Sequence, residues 1–143
     1  MSRKLARESV YKLVFEFLFL NESNQRTFDI LSSIDLAEGD RKYMERAYFG
    51  VIQKNEELIE LISNLSEGFS LERIFKPDLA ALMLAIYEMR YMDDIPLSVS
   101  IAEAVELAKR YSTEKSNQYV NGVLSTVYKT ITEQKEIAVD DNY

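Results

Sequence analysis

The sequence contains no cysteine and no histidine, and only four glycines and two prolines among its 143 residues. Without cysteine there can be no disulfide, no thiolate nucleophile and no zinc–cysteine site. Without histidine the chain lacks the usual general base at neutral pH, the partner in Ser-His and Cys-His pairs, and a common transition-metal ligand. We therefore expect a protein that is not an enzyme and that uses no metal, no cofactor and no small-molecule substrate.

Long apolar runs are also missing. No stretch approaches the roughly 20 apolar residues that a helix needs to cross a bilayer. The apolar run at 13–20 is interrupted by Glu16, and no small-residue cleavage site follows it. We expect a cytoplasmic protein without membrane association. Its hydrophobic content of 47% is enough for a buried core without metal or disulfide support.

Charge is distributed unevenly along the chain, whose net value is −7. Residues 1–12 carry four basic residues and one acidic residue, a net charge of +3, and residues 109–129 carry the same excess. The segment between them has a net charge of −10, and residues 130–143 have −3. Two basic segments that flank an acidic middle indicate that any contact with nucleic acid is made by these two basic segments.

The scarcity of glycine and proline, together with apolar residues at spacings of three and four, predicts an all-α fold. The first helix should run from an N-cap at Ser2 to Leu20. A short second helix should end before Gly39. A long third helix should begin after a cap at Asp40 and continue to Leu65.

The stretch Ser66-Glu67-Gly68 is the best candidate for a subdomain boundary. About three helices are expected on each side of it, which predicts two small three-helix bundles packed together, residues 1–67 and 68–143.

The second half should begin with a largely buried helix that Pro77 opens. The next helix should have its body at 101–111, with capping-box spacing between Ser100 and Glu103 and a possible start at Ser98. The last helix, capped by Ser112 or Thr113, should run to about Thr132. Residues 136–143 should form a frayed acidic tail.

A series of short segments runs along the chain: ARE at 6–8, AIYEM at 85–89, IP at 95–96, IAEAVELAK at 101–109, YS at 111–112, EKS at 114–116 and YVNGVL at 119–124. In this order and spacing they resemble the NusB family, over nearly the whole chain and most densely from Leu79 to Leu124. The resemblance implies two three-helix bundles and a role in transcription antitermination. It also implies complexes that assemble on boxA-like RNA with the ribosomal protein NusE and RNA polymerase.

The resemblance implies RNA contacts from the basic N-terminal helix and from the segment around the closing motif. The matching residues are Arg3, Lys4 and Arg7 in the first, and Lys115 and Tyr119 in the second. The three N-terminal cations also fit an ordinary solvated face, although cations oppose the dipole at a helix N-terminus. Tyr119 could stack on a base or pack in the core, and both readings stay open.

An acidic surface near the buried helix is the place that the resemblance implies for NusE, with Glu72, Asp78 and Glu88 as its residues. A glycine inside a helix costs about 1 kcal/mol relative to alanine, so Gly122 needs a reason. We expect it to allow a close approach of helices, and Asn121 to be a buried hydrogen-bonding or capping partner, with RNA contact as the alternative.

Tyr111, which closes the apolar stripe of its own helix, should be part of the core. Two other functions compete with RNA binding. The first is a helical protein-binding scaffold whose basic ends are incidental. The second is an enzyme that uses the carboxylates of Glu103, Glu106, Asp93 and Asp94. Capping explains Glu103 better, and turn chemistry explains Asp93 and Asp94 better.

Overall fold

The computed structural model describes residues 2–33, 36–66 and 71–140. Within these ranges the chain is built of α-helices, with one short 3₁₀ helix and no β-strand, which confirms the expected all-α class. No helix in them is long and apolar enough to span a membrane. The elements in chain order are α1 (Arg3–Leu20), α2 (Gln25–Ser32), α3 (Glu38–Gln53), α4 (Asn55–Leu65), the 3₁₀ helix Leu71–Arg73, α5 (Lys76–Tyr91), α6 (Leu97–Tyr111) and α7 (Glu114–Asp140).

Helix α1 has the bounds that the sequence predicts. The Ser2 hydroxyl accepts a hydrogen bond from the backbone N–H of Leu5 at 3.2 Å, which satisfies a donor that the first turn would leave unpaired. At the other end Asn21 adopts a left-handed conformation, with φ of 59°. Its N–H donates to the carbonyl of Phe17 and closes the helix.

The prediction of one long third helix is wrong, because this segment is divided at Lys54 into α3 and α4. The side chain of Asn55 donates a hydrogen bond to the carbonyl of Ile52 at 2.5 Å. The Asn55 side chain thereby competes with the backbone N–H that would donate to the same carbonyl in a continuous helix. The apolar spacing from Val51 to Leu58 passes through the break unchanged, so periodicity could not reveal it. Helix α3 also begins at Glu38, before the predicted cap at Asp40.

The predicted cap of α6 and the predicted end of α7 are also wrong. Helix α6 begins at Leu97, one residue before the alternative start at Ser98. No side chain caps it, so the expected capping box of Ser100 and Glu103 is wrong. Ser100 is instead buried, with its hydroxyl turned towards α5. Helix α7 continues to Asp140, well past Thr132, because no glycine or proline occurs between residues 133 and 140. Of the predicted tail, residues 136–140 are therefore helical, and 141–143 lie outside the described residues.

Helix α5 is the centre of the fold. Every residue from Asp78 to Met89 is buried, which confirms the expected burial of this helix. Such a helix must be covered on all sides, and α1, α3, α4, α6 and α7 all pack against it. The predicted boundary includes Glu67 and Gly68, which lie outside the described residues. The division into bundles 1–67 and 68–143 stays a prediction. Helix α5 does not distinguish the two bundles, because it contacts helices from both halves of the chain.

The expectations for Gly122 and Asn121 are wrong, because both residues are exposed. A Cβ atom built on Gly122 would meet no atom within 4 Å, so no helix approaches it closely. The close approach occurs in α3, where a Cβ atom on Gly50 would overlap the ring of Tyr87. Gly50 therefore lets α3 and α5 lie close together.

Replacing each of these glycines by alanine should have opposite effects. Gly122→Ala should stabilise the protein by about 1 kcal/mol, since alanine is the better helix former and the new methyl group meets nothing. Gly50→Ala gains the same helix propensity but forces the Tyr87 ring to move, and overpacking of this kind costs roughly 1–3 kcal/mol. Urea unfolding of both variants measures the difference. Equal stabilisation at both sites would show that Tyr87 yields without cost.

Candidate nucleic-acid interface

A buried ion pair connects α1 to α5. The Nε and Nη2 atoms of Arg7 donate to the two carboxylate oxygens of Glu88 at 2.9 and 3.2 Å. The Tyr43 hydroxyl donates to Glu88 at 2.6 Å, and the Ser100 hydroxyl donates to it at 2.9 Å. The Glu88 carboxylate thus holds together side chains from α1, α3 and α6.

Both partners of this ion pair lie in the interior, with 5% of Arg7 and 1% of Glu88 exposed. Burial opposes the charge on Arg7, but the hydrogen bonds to Glu88 and the interactions with Tyr43, Glu88 and Glu103 together outweigh it and raise the pKa of the guanidinium. Burial and the Glu88 charge also raise the pKa of Tyr43 well above its ordinary value. The expectation that Arg7 and Glu88 lie on outer surfaces is wrong, because each satisfies the other inside the protein.

Asp78 is buried as well, which corrects its expected place on an acidic surface. Its carboxylate accepts hydrogen bonds from Ser112 at 2.6 Å and from Ser116 at 3.0 Å. These bonds connect the start of α5 to the start of α7. Among the three acidic residues predicted to meet a partner, only Glu72 is exposed.

The exposed start of α1 offers Arg3 and Lys4. The Nε atom of Arg3 forms an ion pair with Asp40 at 2.9 Å, and its guanidinium lies over the ring of Tyr43, 4.7 Å from the centroid. Lys4 is exposed. Of the three N-terminal cations predicted from the sequence, Lys4 is therefore the one best placed to meet an external anion.

The two basic segments of the sequence meet where the end of α6 lies beside α1. The Glu8 carboxylate accepts a hydrogen bond from Arg110 at 3.0 Å and another from the Tyr111 hydroxyl, and Lys12 lies 3.9 Å away. The Tyr111 hydrogen bond and then the nearby cations lower the pKa of Glu8. Tyr111 is 38% exposed, so its expected place in the core is wrong. We call Lys4, Glu8, Lys12, Arg110 and Tyr111 the α1–α6 face.

A second basic and aromatic site is a cleft of about 230 Å³ at the start of α7. The Tyr119 hydroxyl lies 2.6 Å from the hydroxyl of Ser66, while its ring is half-buried and lines the cleft. Burial raises the pKa of Tyr119. Its ring therefore packs partly against the core and partly faces the cleft. We call this site the α7 cleft, and its lining residues are Arg73, Ile74, Phe75, Asp78, Thr113, Lys115, Ser116 and Tyr119.

The α1–α6 face and the α7 cleft are connected through Tyr11. Its ring packs against Tyr111, with centroids 5.4 Å apart, and its hydroxyl donates to the carbonyl of Pro77 at 3.1 Å. Pro77 is followed by Asp78, which lines the cleft. Cations and aromatic rings from α1, the end of α6, the segment before α5 and the start of α7 thus form one set of neighbouring side chains. We call this set the basic strip: Lys4, Lys12, Arg73, Phe75, Arg110, Tyr111, Lys115 and Tyr119.

Lys12, Arg73, Phe75, Arg110 and Tyr111 were not predicted as site residues, although Lys12 belongs to the first basic segment. Phe75 is 53% exposed just before α5, although an apolar residue there would be expected to pack inwards. Nothing in the sequence pattern marks its exposure. Arg110 had a signal, since it belongs to the second basic segment.

Glu106 is exposed beside Lys4 and Arg110 in the cleft between α1 and α6, and a larger group of exposed acidic side chains lies on α3 and α4. The exposed members are Glu38, Glu45, Glu56, Glu57 and Glu60. Cations can bind phosphates, and exposed aromatic rings can stack on bases without regard to sequence. The basic strip, which combines both kinds of side chain, is therefore the surface best suited to a nucleic acid.

The chain matches the model of the NusB family over residues 2–129. The transcription antitermination protein NusB of Acetivibrio thermocellus is 44% identical over 130 residues, which are 90% of this chain and 90% of that protein. The protein of the same name from Bacillus pumilus is 37% identical over 134 residues, which are 94% of this chain and all of that protein.

Solved structures have the same fold. The NusB structure from T. maritima is 33% identical, with a TM-score of 0.79 over 90% of this chain and 92% of that one. A structure of the antitermination factors NusB and NusE in complex with double-stranded RNA contains a chain 23% identical, also with a TM-score of 0.79, over 90% of this chain and 96% of that one. At that identity the second likeness shows the fold.

The buried ion pair predicts a large difference between two arginines of the same helix. Arg7→Met should leave the Glu88 charge buried without its cation, which costs about 3–5 kcal/mol of unfolding free energy. Arg3→Met is the matched control, because it removes an exposed pair worth about 1 kcal/mol or less. Chemical denaturation of both variants tests this, and equal losses would contradict a structural role for the Arg7–Glu88 pair.

Proposed function

This chain belongs to the NusB family, and on that premise we propose that it is a transcription antitermination factor that binds boxA-like RNA together with NusE during ribosomal RNA synthesis. The observation that carries the proposal is the basic strip. Two segments separated by about a hundred residues in the sequence come together in it: residues 1–12 bring Lys4 and Lys12, and residues 109–129 bring further cations together with the rings of Tyr111 and Tyr119.

In this proposal the exposed cations Lys4, Lys12 and Lys115 contact phosphates, which sets the position of the RNA without reading its sequence. Unpaired bases stack on the exposed rings beside them, of which Phe75 and Tyr119 border the same cleft. Single-stranded RNA suits this surface best, because its bases are free to leave the stack and meet aromatic side chains.

A protein partner fits the charge of the chain. With a net charge of −7 the protein repels RNA at long range, and a basic partner would reduce that repulsion while adding its own RNA contacts. A chain of this fold is found with NusE and double-stranded RNA in a related structure. Glu72 remains a candidate for the partner contact, since it is exposed close to the α7 cleft.

We propose further that the protein works as an adaptor and not as an enzyme, and that it acts in the cytoplasm with RNA polymerase. The carboxylates that could suggest catalysis have other contacts. Glu103 lies 4.0 Å from Arg7, and Asp94 accepts a hydrogen bond from Arg46 at 3.4 Å.

Removing cations from the basic strip should weaken RNA binding. The double variant Lys4→Gln/Lys115→Gln should bind a boxA-like RNA about tenfold more weakly at physiological salt, and should flatten the plot of log affinity against log salt by about 1.5 units. The control Lys42→Gln/Lys135→Gln makes the same change in net charge away from the strip, on α3 and α7. Fluorescence anisotropy across a salt series measures both. Identical behaviour of the two variants would favour the protein-binding scaffold.

Binding of RNA and NusE should be coupled. RNA should bind the pair of proteins about 5–150-fold more tightly than it binds this chain alone, which corresponds to a coupling of roughly 1–3 kcal/mol. Thermodynamic reciprocity requires RNA to strengthen the contact between the proteins by the same factor. Calorimetry measures both titrations. If the proteins associate but RNA affinity is the same with and without NusE, the adaptor proposal fails.

A further inference from the structure

Glu8 occupies an unusual place, because it is the single acidic residue among the first twelve and it contacts Lys12 and Arg110 of the basic strip. Its side chain is only 13% exposed. Lys4, Arg110 and Glu106 line the same shallow cleft between α1 and α6. An acidic side chain here reduces the positive charge of the surface that, under the proposed function, meets RNA.

Both oxygens of the Glu8 carboxylate are used. One accepts a hydrogen bond from the Arg110 guanidinium at 3.0 Å. The other accepts from the Tyr111 hydroxyl and lies 3.9 Å from the Lys12 ammonium. A guanidinium, an ammonium and a phenol hydroxyl converging on one pair of oxygens are the donors that bind a phosphate group, whose oxygens accept the same charge-assisted bonds.

We propose that Lys12, Arg110 and Tyr111 form a phosphate-binding site, that Glu8 occupies this site in the free protein, and that a backbone phosphate of the RNA displaces it. The inference rests on the proposed function and extends it, since it names a site and the group that competes for it. Glu8 thereby sets how tightly the α1–α6 face binds RNA.

The exposure of the two cations makes this exchange feasible. Lys12 has 56% and Arg110 has 44% of its side chain exposed, so a phosphate can reach both from solvent. Ion pairs of exposed cations are weak and easily replaced by another anion. The same contacts lower the pKa of Glu8 further below neutral pH, so the group that competes with phosphate is the charged carboxylate.

Glu8→Gln tests the proposal, because glutamine keeps the shape of the side chain and removes its charge. We expect Glu8→Gln to bind a labelled boxA-like RNA about fivefold more tightly than the wild type, and to steepen the plot of log affinity against log salt by about one unit. Glu8→Ala, which lacks any side-chain acceptor, should tighten binding at least as much. The control is Glu60→Gln, which makes the same change in net charge at an exposed site on α4 and should change the affinity less than about twofold because salt screens distant charges.

A double-mutant cycle with Arg110→Gln shows whether Glu8 acts through the proposed site. The gain from Glu8→Gln should fall to the level of the Glu60→Gln control when Arg110 has already been replaced. The same gain in both backgrounds would overturn the inference, since it would reflect net charge alone, and so would a Glu8→Gln affinity equal to that of Glu60→Gln. Thermal unfolding followed by circular dichroism verifies that each variant is folded.

The two failures can be told apart. If Lys4→Gln/Lys115→Gln weakens RNA binding but Glu8→Gln matches its control, the phosphate site is wrong and the RNA-binding function stands. If the wild-type protein does not bind RNA at all, with or without NusE, the proposed function fails first and the inference falls with it.

Discussion

The ion pair between Arg7 and Glu88 determines how α1 lies on the central helix. Both groups are buried, and a buried charge without a partner is so unfavourable that few arrangements of the two helices are compatible with it. Successive residues of an α-helix are rotated by about 100°, so turning α1 by a single residue would take Arg7 away from Glu88. This placement leaves Lys4 and Lys12 exposed to solvent.

The same carboxylate also positions α6. Ser100 donates to Glu88 near the start of α6, and three turns later Arg110 and Tyr111 reach Glu8 on α1. The interior contact and the surface contact thus lie at opposite ends of one helix. Together they bring the two basic segments of the sequence side by side, which neither segment could achieve alone. Buried polar groups are costly unless all are satisfied, and here the surface that we propose for RNA depends on them.

Sequence reasoning succeeded where a local property decides the structure, and failed where a distant partner decides it. The cap at Ser2, the opening of α5 at Pro77 and the burial of α5 follow from nearby residues. The surface roles expected of Arg7, Asp78 and Glu88 were wrong, because a charged residue is expected outside unless its partner is known, and Arg7 and Glu88 are separated by 81 residues. The glycines show the same limit: Gly50 and Gly122 look alike in the sequence, and only the position of the Tyr87 ring distinguishes them.

Arg7 and Glu8 are adjacent in the chain, yet their ion pairs have different consequences. Arg7 points inwards to a carboxylate that is almost completely buried, where no external anion can compete without unfolding the contact. Glu8 points to cations that remain accessible, where a phosphate can compete with it. A helix turns neighbouring residues to different faces, so one basic and one acidic residue in sequence can serve the fold and the binding surface separately. The difference in solvent exposure, and not the kind of residue, separates an ion pair that is sealed in the interior from one that, in our proposal, a phosphate of RNA replaces.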